Sequence, residues 1–211
     1  MNNKPIVIIG GGGHASVLVD VLHRQNKDII AIISPDDINS RNIFDGIQHL
    51  RSDDDILQFP AAQIELVNAI GVAPRSSFRR NINEKYLAWG YQFATVIADN
   101  ASISKYAKIL PGAQILTRAV VHPGAVIGSH AIINTAAIVE HDCSVGAYNF
   151  IAPGAILCGQ VVTGEDVFIG AGATVIPNLK IGNSGIVTAG AVLVSSLNAG
   201  NICYHSRTVI K

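Results

Sequence analysis

The aliphatic residues in the second half of the chain recur on a strict period of six. Counting from Ile97, the positions run Ile97, Ile103, Ile109, Ile115, Val121 and onward to Leu193, and only Thr163 breaks the aliphatic series. Four places after each aliphatic residue stands a small one, as at Ala101, Ala107, Ala113 and Ala119, with Cys143 and Asn149 among the exceptions. Glycine often follows the aliphatic residue directly, as at Gly128, Gly146, Gly164, Gly170 and Gly182. A period of six fits neither a helix nor an alternating strand. It fits a triangular coil of three flat faces, in which each turn buries its apolar side by stacking on the next. Three hexads make a rung of 18 residues, so residues 18 apart are expected to stack, the small positions to leave space inside the prism, and glycine and other turn formers to allow the corners, where φ can be positive.

The first part of the chain has a different pattern. Pro5–Ile9 reads as a buried parallel strand. The glycine run Gly10–Gly13 with His14 and Ala15 follows, then a helical spacing of Val17, Leu18, Val21 and Leu22. Strand, glycine-rich turn and helix open a Rossmann-like nucleotide-binding unit. Ile29–Ile33 is a second strand, ending in Ser34-Pro35-Asp36-Asp37, and Ile64–Ile70 a third, ending in Gly71. Residues 38–60 read as irregular, with a helix opening near Arg51–Asp55 capped by Asp53 or Asp54. Ser76–Trp89 reads as a helix with an apolar stripe of Phe78, Ile82, Tyr86 and Leu87, and Tyr91–Ile97 as a strand leading into the repeat. The expected organisation is an α/β Rossmann-like domain over 1–92, an all-β parallel β-helix of hexapeptide repeats over 93–197, and a tail over 198–211.

Composition narrows the function. Hydrophobic residues make up 49% of the chain, charged residues 14%, and the formal net charge is zero. Such a chain has little attraction for nucleic acid or anionic membrane, while its apolar surface suits oligomerisation. No apolar run reaches the length of a membrane span, and Met1–Pro5 shows no hydrophobic leader. The three cysteines, Cys143, Cys158 and Cys203, have no metal spacing. Their odd number suits reduced thiols and a cytoplasmic location.

Two chemistries are weakly supported. The glycine run could bind a dinucleotide, but the second strand ends in Ser34-Pro35 where an NAD-binding unit carries an acid for the ribose. His122, His130 and His141 are spaced unlike any common metal-ligand set, so no metal is expected. His141 differs from the other two because it lies between Glu140 and Asp142, with Pro123 and Gly159 one rung away on either side. A histidine beside an acid is suited to act as a general base.

The hexad pattern resembles the left-handed parallel β-helix of the hexapeptide-repeat acyltransferases. A closer likeness rests on Ile133–Gly146, which contains Glu140-His141-Asp142, on Ala152–Ala155 and on Ile169–Ala173, together with Gly10–His14 and Ala69–Gly71. These stretches are similar to the bacterial sugar-nucleotide acetyltransferases of the sialic-acid O-acetyltransferase type. That group includes the N-acetyltransferases that make diacetamido-trideoxy sugars (bacillosamine) and N-acetylperosamine. The resemblance implies that His141 is the catalytic base and Asp142 the acid that raises its basicity. It places Asn134 near the substrate amine, Gly12, Gly13 and His14 in a phosphate loop, and Gly71, Ser34 and Asp36 against the nucleotide. It assigns Phe150, Gly159, Ala171 and Ala189 to the acetyl-coenzyme A groove, which lies between two β-helices of a homotrimer.

The chain departs from the family pattern at three places. Phe150 stands where the family often has a second histidine, Ser34-Pro35 where it often has two acids, and Tyr204–Arg207 where it has a Pro-Ala-Lys ending. The expected activity is acetyl transfer from acetyl-coenzyme A to the 4-amino group of a nucleotide-linked amino-deoxy sugar, for surface glycan synthesis. The alternatives are GDP-perosamine N-acetylation, sialic acid O-acetylation and a trimeric scaffold that binds sugar nucleotide without coenzyme A.

Overall fold

A computed structural model describes residues 4–205. The chain forms two compact units, Met1–Asp99 and Asn100–Lys211.

The first unit carries a parallel sheet of four strands, β1 (Ile6–Ile9), β2 (Ile29–Ile33), β3 (Gln48–Leu50) and β4 (Glu65–Asn68), in the order β3-β2-β1-β4. Strands β1 and β4 are buried almost throughout because both faces of a parallel sheet are covered. The sheet has one strand more than the sequence pattern shows. β3 is three residues long, only Leu50 of it is buried, and it pairs with β2 on one side alone. A short edge strand leaves almost no periodic signal. Helix α1 (Gly13–Arg24) starts earlier than expected, so Gly13, His14 and Ala15 form its first turn and Gly12 is its N-cap. After β3, a 3-10 turn runs over Asp53–Gln58, and its cap is Ser52 rather than an aspartate. Ser52 Oγ accepts from the amide of Asp54, and Asp55 Oδ2 accepts from the amide of Ser52, a reciprocal capping box.

Helix α2 (Phe78–Ala88) buries only part of the stripe expected of it: Tyr86 is in the core and Ile82 packs against it. Phe78 is 59% exposed and Leu87 37% exposed, whereas Arg79, Asn83 and Tyr86 are buried. These three share a face at i, i+4 and i+7, the spacing of an inward stripe. Arg79 and Asn83 take it because they bond the end of β4. The expected strand over Tyr91–Ile97 is reduced to a bridge from Phe93 to Leu66 and a two-residue strand β5 (Val96–Ile97).

The second unit is a left-handed parallel β-helix. Its three sheets are built from two-residue strands, and each strand pairs with one a full rung away: Ile127 with Val145, Ile133 with Ile151, Val139 with Leu157. The predicted interval of 18 holds throughout these pairs. The second residue of each strand points into a dry core together with the small residue of the hexad, from Ala113 and Ile115 to Ala191 and Leu193. Two of the exceptions to the pattern, Thr163 and Asn149, belong together. Thr163, in an aliphatic slot, accepts a hydrogen bond from the side-chain amide of Asn149, which sits in a small-residue slot, and it also accepts from the amide of Gly146. Asn149 Oδ1 in turn accepts from the amide of Val167 at 2.8 Å. A buried hydroxyl and a buried amide thereby meet each other's needs inside the prism.

The corners bear out the expectation in part. Positive φ falls three residues after the aliphatic position, on glycines such as Gly112, Gly124, Gly154 and Gly172 and equally on residues such as His130, Asp142, Tyr148 and Asp166, and not on the glycine directly after it. The glycines directly after the aliphatic position serve close approach. A β-carbon on Gly128 would lie 2.5 Å from the carbonyl carbon of Gly146, and one on Gly170 would crowd the amide of Ala189. The coil also continues past Asn198. Leu197 bridges Ile181, and Ile202–Cys203 pairs with Ile186–Val187, so the partners here are sixteen residues apart. Two residues fewer in this rung hide it from a count by six. The rest of the expected tail, 206–211, lies outside the described residues.

Candidate active site

Four residues lie between one strand and the next, the first three at the corner of the prism and the fourth turned inward. His141 and Asp142 are the second and third residues of the corner that follows Ile138–Val139. Asp142 has φ of 57°, a left-handed conformation that aspartate tolerates better than most residues. The backbone is pinned on both sides: the amide of Asp142 donates to Pro123 O at 3.1 Å, and the amide of Gln160 donates to His141 O at 2.9 Å. In this frame His141 Nδ1 stands 2.9 Å from Asp142 Oδ2. With the ring proton on Nδ1, the carboxylate accepts it and Nε2 is left with a free lone pair. Both side chains are more than half exposed.

Two glycines make room for the pair. A β-carbon on Gly159 would lie 2.5 Å from His141 Nε2 and 2.7 Å from its Cε1. The imidazole therefore lies over the backbone of the next rung rather than beside open space. One rung on the other side, a β-carbon on Gly124 would collide with Asp142 Oδ1, and Gly124 also has φ of 76°. Glu140, the second acid beside His141, points elsewhere: its Oε1 is 3.7 Å from Nε2 of His122. His130 is a corner residue only 9% exposed, stacked on Tyr148 with ring centroids 4.9 Å apart. Among the described residues no group of three or more His, Cys, Asp or Glu is placed to hold a metal ion.

The first unit contains a cavity of about 890 Å³. Three segments singled out in the sequence converge on it: Gly10–His14, Ser34–Asp37 and Ala69–Gly71. Gly12 caps α1 without a side-chain hydrogen bond, the first turn of α1 carries no acid, and Gly12, Gly13 and His14 line the cavity, a setting that favours an anion. Gly11 is needed for close packing, because a β-carbon there would lie 3.1 Å from the Ser34 side chain. The sequence reading missed the opposite wall: Arg41, Arg51, Ser52, Asp53, Asp54, Phe78 and Lys85. Lys85 Nζ is 2.9 Å from Asp53 Oδ2 and lies over the ring of Trp89, while Tyr86 donates its hydroxyl to Asp53 Oδ1. Burial, followed by this bond, pushes the Tyr86 hydroxyl pKa well up. These residues come from an irregular stretch and from a helix face that reads as apolar, which is why no motif marked them.

The remaining predicted positions fall elsewhere on the prism. Asn134 stands at the corner before the one that holds His141, and its Oδ1 accepts from the amide of Thr135 at 2.7 Å. Ala171 and Ala189 are exposed at that same earlier corner, on higher rungs, where the amide of Gly190 donates to Ala171 O at 2.9 Å. Phe150 lies on a flat face, stacked on Phe168 with centroids 5.2 Å apart. Of the four positions assigned to the coenzyme, only Gly159 lies in the same corner column as His141.

Residues 5–86 match the PglD N-terminal domain family. None of the curated proteins compared with the chain matches it. Among solved structures, perosamine N-acetyltransferase from Caulobacter crescentus, a histidine-to-asparagine variant in complex with CoA and GDP-perosamine, is 31% identical with a TM-score of 0.86, over 98% of this chain and 96% of that one. The acetyltransferase domain of PglB from Neisseria gonorrhoeae, in complex with acetyl coenzyme A, is 28% identical with a TM-score of 0.86, over 96% of each chain. WeeI from Acinetobacter baumannii is 26% identical with a TM-score of 0.75. An α/β unit followed by a hexapeptide β-helix, with a histidine–aspartate pair at one corner, defines a class of acyl-transferring enzyme. This chain belongs to the hexapeptide-repeat sugar acetyltransferases, the family of the bacillosamine and perosamine N-acetyltransferases.

Proposed function

We propose that this protein transfers the acetyl group of acetyl-coenzyme A to the 4-amino group of a nucleotide-linked amino-deoxy sugar, with His141 as general base. The observation that carries the reading is the His141–Asp142 contact of 2.9 Å, with the Nε2 edge of the ring lying over a glycine. The Caulobacter complexes agree with it, since that enzyme was captured with CoA and GDP-perosamine as histidine-to-asparagine and histidine-to-alanine variants. The nucleotide occupies the cavity of the first unit, its diphosphate at the amides of Gly12, Gly13 and His14. Ser34, Asp36 and Gly71 border the rest of the nucleotide. The acceptor is UDP-4-amino-4,6-dideoxy-N-acetylglucosamine or GDP-perosamine, in a cytoplasmic step of surface glycan synthesis.

In the transfer step the amine nitrogen attacks the thioester carbonyl. His141 Nε2 takes the proton that the nitrogen sheds, and Asp142 holds the ring and stabilises the imidazolium through Nδ1. The tetrahedral centre collapses with loss of the coenzyme A thiolate, which leaves an amide and no acyl-enzyme. Cys143 is inward and buried, so it is no nucleophile for this step. Holding both substrates in place supplies much of the rate.

A homotrimer completes the site. Within one chain, His141 with Gly159 and the coenzyme positions Ala171 and Ala189 stand at different corners of the prism, and Asn134 shares the corner of the latter pair. A second copy packed against the face between them brings one corner of each together. The coenzyme arm then runs along the small residues Ala171 and Ala189, past Phe150.

Thiol release from acetyl-coenzyme A tests the acceptor. Turnover with UDP-4-amino-4,6-dideoxy-N-acetylglucosamine or with GDP-perosamine identifies the nucleotide. Turnover with free sialic acid alone means O-acetylation at the same histidine, and coenzyme A binding with silence on all three refutes the acceptor class.

A further inference from the structure

We propose that Arg79 is a positioning residue for the nucleotide: its buried guanidinium sets the wall of the cavity formed by Asn68–Gly71. The inference rests on the nucleotide reading of that cavity. Arg79 lies in the first turn of α2 and is 7% exposed. Its Nη1 donates to Asn68 O at 2.8 Å, to Asn68 Oδ1 at 3.1 Å and to Ile70 O at 2.7 Å. Asn68, itself 2% exposed, closes the network from the other side. Its Oδ1 accepts from the amide of Ile70 at 2.9 Å, and its Nδ2 donates to Asn83 Oδ1 at 2.7 Å and to Arg79 O at 3.1 Å. Both polar groups of the Ile70 backbone are thereby fixed, one by Arg79 and one by Asn68.

This segment is where β4 ends and the cavity begins. Ala69, Ile70 and Gly71 line the cavity, whereas Arg79 and Asn83 do not. The same segment braces the glycine run: a β-carbon on Gly10 would lie 3.1 Å from Ile70 Cγ1 and 3.2 Å from the Ala69 carbonyl. Arg79 therefore acts through two layers, first on the turn at Ile70 and then on the loop that begins α1. Burying a charged side chain is costly unless bonds such as these three offset it. A leucine or methionine there would pack against β4 equally well and leave the turn unheld.

The test is calorimetric titration of the full chain with UDP, GDP and coenzyme A separately, for the wild type, Arg79→Met and Arg79→Lys, alongside thermal melts. Arg79→Met should weaken binding of whichever nucleoside diphosphate the wild type takes by about tenfold or more, the effect of leaving buried oxygens without a donor. Coenzyme A affinity should stay unchanged. Arg79→Lys, with three donors on one nitrogen, should recover most of the loss. If Arg79→Met does not fold, Asn83→Ala, which removes only the acceptor behind Asn68, should show a smaller loss confined to the nucleotide. Folded variants that bind nucleotide as the wild type does, or that lose nucleotide and coenzyme A in parallel, overturn the proposal. A wild type that binds coenzyme A but neither UDP nor GDP refutes the nucleotide reading itself, and this inference with it.

Discussion

The ring of His141 lies over the backbone of Gly159, one rung away, so closely that a single added methyl on Gly159 would sit 2.5 Å from Nε2. In the proposed reaction the glycine serves the base, because it leaves room for the ring at its working nitrogen. Gly159→Ala should lower kcat by about tenfold or more while the melting profile stays near wild type, since the ring and not the buried backbone gives way. Steady-state kinetics beside a thermal melt separates the two effects. An alanine enzyme with wild-type kcat would show that the ring turns freely.

In the proposed reaction Asp142 orients the base, since it lies 2.9 Å from His141 Nδ1 while Glu140 lies by His122. Asp142→Asn should slow transfer by less than loss of the histidine does, and Glu140→Gln should slow it less again. The comparison is read from kcat at saturating substrates. Equal activity for Asp142→Asn and wild type would reassign the role to Glu140.

Thr163 and Asn149 satisfy each other inside the β-helix. Thr163→Val leaves the Asn149 amide buried without its acceptor and should destabilise the fold by about 1–3 kcal/mol. Denaturant unfolding would measure it. An unchanged midpoint would mean the amide finds another partner.

Burial pushes the Cys143 thiol up to about 11. At pH 8 only about one part in a thousand is thiolate, so an aromatic disulfide reagent should label Cys143 only after denaturation. A group whose acidity is suppressed on folding costs stability once the unfolded chain can ionise it. The native state should therefore weaken as pH rises from the ordinary thiol value of 9.0 towards 11. Rapid labelling of Cys143 in the native protein, followed by peptide mapping, would contradict this.

The second unit was legible in the sequence to an unusual degree, because a coil with 18-residue rungs repeats one packing problem. Each solution leaves the same mark, so Ile127, Val145 and Ile181 announce themselves. What the count missed were the places where the problem changes: the shortened rung that brings Ile202 beside Ile186, and the pairing that lets Thr163 occupy an aliphatic slot. The role of one set of glycines is also hidden, since Gly128 and Gly170 answer to the neighbouring rung and that constraint acts across 18 residues, whereas Gly124 and Gly154 serve corners as expected. In the first unit the glycine run and the strand ends were visible as local motifs. The wall made by Arg41, Arg51 and Lys85 was not, because nothing in their spacing distinguishes a cavity lining from a solvated face. Arg79 was hidden for a related reason. A charged residue in a helix reads as exposed, and only its partners on β4 show that it is buried.

The measurement that tests the account most directly is the rate of acetyl transfer by His141→Ala at saturating acetyl-coenzyme A and amino-sugar nucleotide, in protein whose coenzyme A affinity and melting temperature match the wild type. Loss of the general base predicts a fall in kcat of about 10²–10⁴-fold. A fall of less than tenfold in that folded, coenzyme-binding protein would remove His141 from the role.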